Sequence, residues 1–290
     1  MPNAPRAAAA SVDVGTGVAG RARLALSDPS GGRAELYTHG GQVLSWRPPT
    51  GDDVLFLSAN TGDRQIAHGG VPIVFPQFGG GALPQHGFAR TSDWSVGAQS
   101  ASERDGARAT VALAASAATR ALWPHEFRLA LTVALGRTLA MTLVATNAGA
   151  EQFTFTVGFH TYFRVRDVRR TSVTGLSGLT FRDKTRDYAE SVDKEPAIVA
   201  RGETDRVYLG APRRVTIDDG ERTIGVEASG FGNIVVWNPG PEGDARFGFA
   251  DGEWSRFICV EPATITEPVT LKPGEAWSAA QTLSVENSRP

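Results

Sequence analysis

Five short segments of this 290-residue chain gather side chains that can move protons or hold a polar ligand. His160 stands in Gly158-Phe159-His160-Thr161-Tyr162-Phe163, beside a hydroxyl and a phenol. Glu261 follows four apolar residues in Phe257-Ile258-Cys259-Val260-Glu261-Pro262. A carboxyl and an imidazole are the side chains most used as general base and acid. Gln85, His86 and Arg90 share Pro84-Gln85-His86-Gly87-Phe88-Ala89-Arg90, a density of donors suited to hydroxyl or anionic oxygens. Asp205 lies in Glu203-Thr204-Asp205-Arg206, and His68 precedes Gly69-Gly70-Val71-Pro72. Glu261 reads either as the first exposed residue of a strand or as a partly buried base with a raised pKa. Because Pro262 has no N–H, it is expected to stop regular pairing and leave Glu261 at a strand end or bulge.

Other chemistries find little support. The single cysteine, Cys259, excludes a disulfide framework and any multi-cysteine zinc site. The five histidines form no H-E-x-x-H pair, so no metal is expected. Gly79-Gly80-Gly81 is followed by neither a GK[ST] nor a G-x-G-x-x-G pattern, which removes a nucleotide loop. There is no G-x-S-x-G elbow, and Cys259 inside an apolar run reads as a core filler. A net charge of −2 rules out a chain-wide basic footprint for nucleic acid. Only Lys184, Lys194 and Lys272 are lysines among 29 basic residues, so an isolated arginine carries little weight here.

The elements that must position these groups are strands. In 127–135 the odd positions Phe127, Leu129, Leu131, Val133 and Leu135 are apolar, while Arg128 and Thr132 fall between them. The alternation resumes at Leu139, Met141 and Leu143, and again at Phe153, Phe155, Val157 and Phe159, after turn residues each time. Period 2 with Gly and Asn punctuation predicts antiparallel, half-buried strands joined by tight turns. Extending the last strand sets His160 on its polar face with Thr154, Thr156 and Tyr162, where a sheet can offer a cleft. Thirty-three glycines and 17 prolines, with no stretch of convincing helical period, point to a large antiparallel β-sandwich in one all-β domain over 21–290. Residues 1–20 read as a flexible terminus. No apolar run is long enough to span a bilayer, and no secretory peptide is recognisable, so a cytoplasmic protein is expected, without membrane or nucleic-acid partners; the sequence leaves the oligomeric state open, with a monomer favoured.

Taken together and in order, HGGVPIVFPQFG (68–79), LPQHGFAR (83–90) with Trp94, WPHEFRL (123–129), GFHTYFRV (158–165), GLSGLTFRDK (175–184), ETDRVY (203–208), VVWNP (235–239) and CVEPA (259–263) resemble the D-hexose-6-phosphate mutarotases. These are the glucose-6-phosphate 1-epimerases, within the aldose 1-epimerase superfamily. The resemblance covers roughly residues 35 to 285 and implies the galactose mutarotase-like supersandwich. It implies that His160 is the acid and Glu261 the base, and that Gln85, Arg90 and Asp205 contact substrate. His86 takes the place of a second active-site histidine. Where the family usually has an arginine before two glycines, contacting substrate, this chain has His68; Arg64 is the nearest arginine in sequence.

The implied reaction is ring opening and reclosure of an aldohexose 6-phosphate, with Glu261 as carboxylate and His160 as imidazolium near neutral pH and no cofactor. His68 keeps open a mutarotase for unphosphorylated aldoses. A non-catalytic carbohydrate-binding sandwich is the third reading, weighed against by the presence of both the acid and the base.

Overall fold

The computed structural model describes residues 9–61 and 68–287. Four strands open it, β1 (Ser11–Thr16), β2 (Ala22–Ser27), β3 (Arg33–Tyr37) and β4 (Gln42–Arg47), antiparallel in chain order. Then come β5 (Ile73–Val74), β6 (Ser95–Ser102), β7 (Gly106–Ala114), helix α1 (Ala117–Leu122), β8 (Phe127–Leu135), β9 (Leu139–Asn147), β10 (Phe153–Phe159) and β11 (Tyr162–Arg164). The C-terminal half holds β12 (Ser172–Thr174), β13 (Thr180–Asp183), β14 (Ala189–Val192), β15 (Thr204–Leu209), β16 (Arg214–Asp218), β17 (Arg222–Ser229) and β18 (Asn233–Asn238). It ends with the short helix α2 (Gly243–Phe247), β19 (Phe257–Leu271) and β20 (Ala276–Asn287).

Two eight-stranded sheets carry the core. One runs β14-β13-β15-β18-β19-β10-β5, with β11 also on β19; the other runs β12-β16-β17-β20-β9-β8-β7-β6. The apolar odd positions of β8, β9 and β10 are all buried, as their alternation predicts, and Phe127, Leu131, Met141, Phe155 and Phe159 belong to one continuous core. Fully burying a side chain of this kind contributes about 1.5–3 kcal/mol. The antiparallel sandwich expected from periodicity is the fold observed.

Two expectations need correction. The segment 11–20 is not loose: β1 pairs with β2 along its whole length, from Ser11 opposite Ser27 to Thr16 opposite Ala22. Four of its six residues are exposed; ladder hydrogen bonds and the packing of Val12 against the core hold this edge strand. Residues 1–8 lie outside the described residues. The alternating stretches 139–147 and 153–159 are not a hairpin either. β9 pairs with β8 and β20, whereas β10 crosses into the opposite sheet and pairs with β19 and β5. Buried Asn147 makes that corner. Its Nδ2 donates to the carbonyls of Glu151 and Leu271, at 2.8 and 2.9 Å, and its Oδ1 accepts from the Gly149 N–H.

Candidate active site

One face of the β15-β18-β19-β10 sheet carries an apolar cluster of its own, with Val235, Trp237, Cys259 and Ala263, around a chemically dense centre. On β19, Cys259 and Glu261 share a face, two residues apart, with Trp237 and Val235 as their cross-strand neighbours on β18. On the other flank, Gly158 pairs with Ala263 and Tyr162 with Cys259, a register that sets His160 opposite Glu261. The ladder is broken between those pairs. The His160 N–H turns away to the Pro72 carbonyl, and the Thr161 hydroxyl donates to buried Gln281 of the other sheet.

Glu261 is therefore not at a strand end, as Pro262 led the sequence reading to expect. It stands mid-strand with 1% of its surface exposed. Val260 donates to Thr161 across the break, so the amide position of Pro262, two residues on, faces the same interrupted edge and forfeits no ladder bond there.

A cavity of about 310 Å³ opens over this floor, a size at the lower end of small-molecule sites. Its walls include His68, Gln85, His86, Arg90, His160, Asp205 and Glu261, all seven side chains singled out from the sequence. Arg64 lies outside the described residues. His160 Nδ1 is 3.4 Å from Glu261 Oε1. The imidazole stacks on Tyr162 (4.8 Å between centroids, 7° between planes) and meets His86 and Trp237 edge-on. Gly158 makes room beside it, because a Cβ there would come within 2.8 Å of the Phe78 ring.

His86 is held by a tight loop. Its N–H donates to the Gly79 carbonyl, and its Nδ1 accepts the Gly79 N–H at 3.2 Å, which leaves Nε2–H as a donor. Its φ of +64° is uncommon for a residue with a side chain and concentrates strain at the cavity wall. Arg90 gives Nη2 to the Gln85 carbonyl at 2.7 Å, and its buried Nε has no hydrogen-bond partner among the described residues. Neither His160 Nδ1 nor Glu261 Oε2 has a hydrogen-bond partner among the described residues. Leaving such buried groups unmatched costs roughly 1–3 kcal/mol each, which is what a site waiting for a polar ligand looks like.

Comparison with known proteins agrees with this geometry. The family model described as aldose 1-epimerase matches residues 22–284. The chain belongs to the aldose 1-epimerase family. A relative from Cenchrus ciliaris named "Putative glucose-6-phosphate 1-epimerase" is 38% identical over 265 residues, covering 87% of this chain and 80% of its own. One of the same name from Salmonella typhimurium is 36% identical and covers 87% of each chain. The crystal structure of a "putative mutarotase (YeaD)" from Salmonella typhimurium superposes with a TM-score of 0.87 at 33% identity, covering 97% of this chain and 94% of that one.

Electrostatics in this family member depart from the expected carboxylate and imidazolium. Burial pushes Glu261 well above the usual carboxylate range; nearby Lys184 opposes this and Asp205 adds to it. Burial, then His86, Arg90 and Lys184, hold His160 well below the ordinary imidazole value. His86 is lowered to about 3 by burial and by the same two cations. Charge attraction at 3.4 Å is worth about 5 kcal/mol at an effective dielectric near 20, whereas removing each ion from water costs several kcal/mol. Both pKa directions favour the neutral forms, protonated Glu261 beside neutral His160. That pair carries the same single proton as the expected ion pair, placed on the other partner.

Lys184, Arg246 and Trp237 also line the cavity and escaped the sequence reading as site residues, whereas strand alternation already places Tyr162 on the polar face with His160. Lys184 places Nζ 3.2 and 3.3 Å from the two Asp205 oxygens, and burial raises that carboxyl against the pull of the ammonium. Its rarity as a lysine in an arginine-biased chain was a usable signal. Arg246 had none, being one arginine among many.

Three groups could hold a metal. One ligand atom each from His160, Cys259 and Glu261 lies within 4.8 Å of the others. Tetrahedral coordination with ~2.0–2.3 Å bonds would require them to contract. Burial, Glu261 and Asp205 also push the Cys259 thiol well above its usual value, disfavouring the thiolate a metal binds.

Proposed function

We propose that this protein interconverts the α and β anomers of an aldohexose 6-phosphate by acid/base ring opening and reclosure. The observation that carries this reading is the juxtaposition of His160 and Glu261 at 3.4 Å on the floor of one sugar-sized cavity. The pair holds one transferable proton. The member without it takes the proton from the anomeric hydroxyl while the other delivers its own to the ring oxygen. The C1–O5 bond breaks as the C1 carbonyl forms. After rotation about C1–C2 the open-chain hydroxyl attacks the opposite carbonyl face and both transfers run backwards. The scheme balances without an added oxidant or reductant, and each proton transfer contributes about 10²–10⁴-fold.

In this reading Gln85, the Nε2–H of His86 and Asp205 hold ring hydroxyls, and the unpartnered Nε of Arg90 supplies one more donor. His68, on the wall against Phe249, helps hold the outer end of the substrate. Among the described residues the lining has three fixed cations, Arg90, Lys184 and Arg246, which favours an anionic sugar. The names of the similar proteins point to the same ester.

The deciding measurement follows anomer exchange by NMR for glucose 6-phosphate and for glucose, side by side. A large preference for the ester is expected. Faster exchange of free glucose, which an imidazole rather than a guanidinium at position 68 would suit, makes this a mutarotase of unphosphorylated aldoses. Binding of either sugar without any acceleration makes it a carbohydrate-binding sandwich.

A further inference from the structure

The three cations that line the cavity among the described residues are not equivalent. Lys184 is already paired with Asp205, donating to Oδ2, and both side chains are about one-fifth exposed. Arg90 is half-buried, and its charge acts on His160, His86 and Tyr162. Arg246 is different. It projects from α2 with 57% of its side chain exposed and still lines the cavity.

The backbone that carries Arg246 is fixed, because buried Asp244, two residues earlier, accepts the N–H groups of Gly252 and Trp254 at 2.7 and 2.8 Å. Its guanidinium lies over the Phe247 ring at 4.5 Å, and Phe247 packs edge-on against Trp237, which flanks His160. The guanidinium donates to both oxygens of Glu203, at 2.8 and 3.3 Å. That carboxylate is itself 39% exposed, and an exposed pair of this kind holds weakly.

Resting on the phosphate-ester reading above, we infer that Arg246 is the residue that selects the phosphorylated sugar, and that Glu203 occupies its guanidinium until the ester arrives. The anomeric end must reach the buried floor for His160 and Glu261 to act on it. A phosphate dianion on the exocyclic carbon would be strongly disfavoured at that depth, so it belongs where water and a cation coexist, at the mouth. There Arg246 offers a planar fork that matches phosphate oxygens, and a dianion outcompetes a carboxylate carrying one charge. Release from Glu203 is a side-chain movement with no backbone change.

The test compares kcat/KM for glucose 6-phosphate and for glucose by NMR exchange in wild type, Arg246→Ala and Glu203→Gln, with inorganic phosphate as a competing anion. Arg246→Ala should lower the ester-to-glucose ratio roughly 10–100-fold, the worth of a charge-assisted contact, and weaken inhibition by phosphate to match. Glu203→Gln should strengthen phosphate inhibition several-fold by removing the internal competitor. A ratio that survives Arg246→Ala, or a loss shared equally by both sugars, overturns the assignment. So does Glu203→Gln leaving phosphate inhibition unchanged. A wild-type enzyme with no preference for the ester would instead overturn the proposed function, so the two failures are distinguishable.

Discussion

The imidazole of His160 and the carboxyl of Glu261 face each other across an interrupted ladder, 3.4 Å apart and both nearly sealed from solvent. Burial favours the neutral form of each partner, and attraction between the charged forms opposes it.

Replacing either partner should abolish most turnover. Glu261→Gln and His160→Asn are each expected to lower kcat by about 10²–10⁴-fold, the contribution of one positioned proton donor or acceptor. Near-ultraviolet circular dichroism should stay native. A folded variant that retains near wild-type exchange removes that residue from the mechanism.

The pH profile of kcat/KM should be a broad bell. Activity requires one proton on the pair, so the acid limb reports a second proton reaching His160, at a pH below the ordinary imidazole value. The alkaline limb reports loss of the proton from Glu261, above the ordinary carboxylate value. Infrared difference spectra between wild type and Glu261→Gln should show a protonated carboxyl in the substrate-free enzyme at neutral pH. A carboxylate band there instead would restore the ion pair.

Stability should respond to the same burial with a definite sign. Glu261 has a raised pKa in the folded chain, so its contribution is fully present below the unfolded carboxylate value and lost as pH rises through the folded one. Glu261→Gln is neutral at every pH. Its Tm should match wild type in acid and exceed it increasingly as pH rises from the unfolded carboxylate value toward the raised folded one. A constant difference across that range contradicts a buried, protonated Glu261.

Gly87→Ala probes the loop behind His86. Gly87 has φ +71°, and an added Cβ would lie 2.1 Å from the Phe75 carbonyl oxygen. Chemical denaturation should show a loss of more than about 1 kcal/mol, with kcat/KM falling as His86 leaves its place. Unchanged stability would mean that the loop has another conformation open to it.

Dialysis against a chelator should leave anomer exchange intact, and Cys259→Ser should not make it chelator-sensitive. Activity lost to chelation and restored by one divalent ion in wild type, but not in Cys259→Ser, would place a metal among His160, Cys259 and Glu261.

Much was legible from residue order alone. Strict alternation in 127–135, 139–147 and 153–159 specifies strands and their buried faces because a strand's side-chain period is fixed by covalent geometry. His160 and Tyr162 follow from the same count and do line the cavity. The sequence could not say that β10 leaves the sheet of β9, since alternation fixes which face is buried and not which strand lies alongside. Nor could it reveal β1, held by backbone hydrogen bonds that any residue can make. Glu261 looked like a strand end because Pro262 lacks an N–H. Only the ladder break at His160–Thr161, 100 residues earlier in the chain, supplies an edge where that missing donor does no harm. The protonation state of the pair was beyond the sequence for the same reason: residue type sets an ordinary pKa, but desolvation is a property of what the folded chain packs around it.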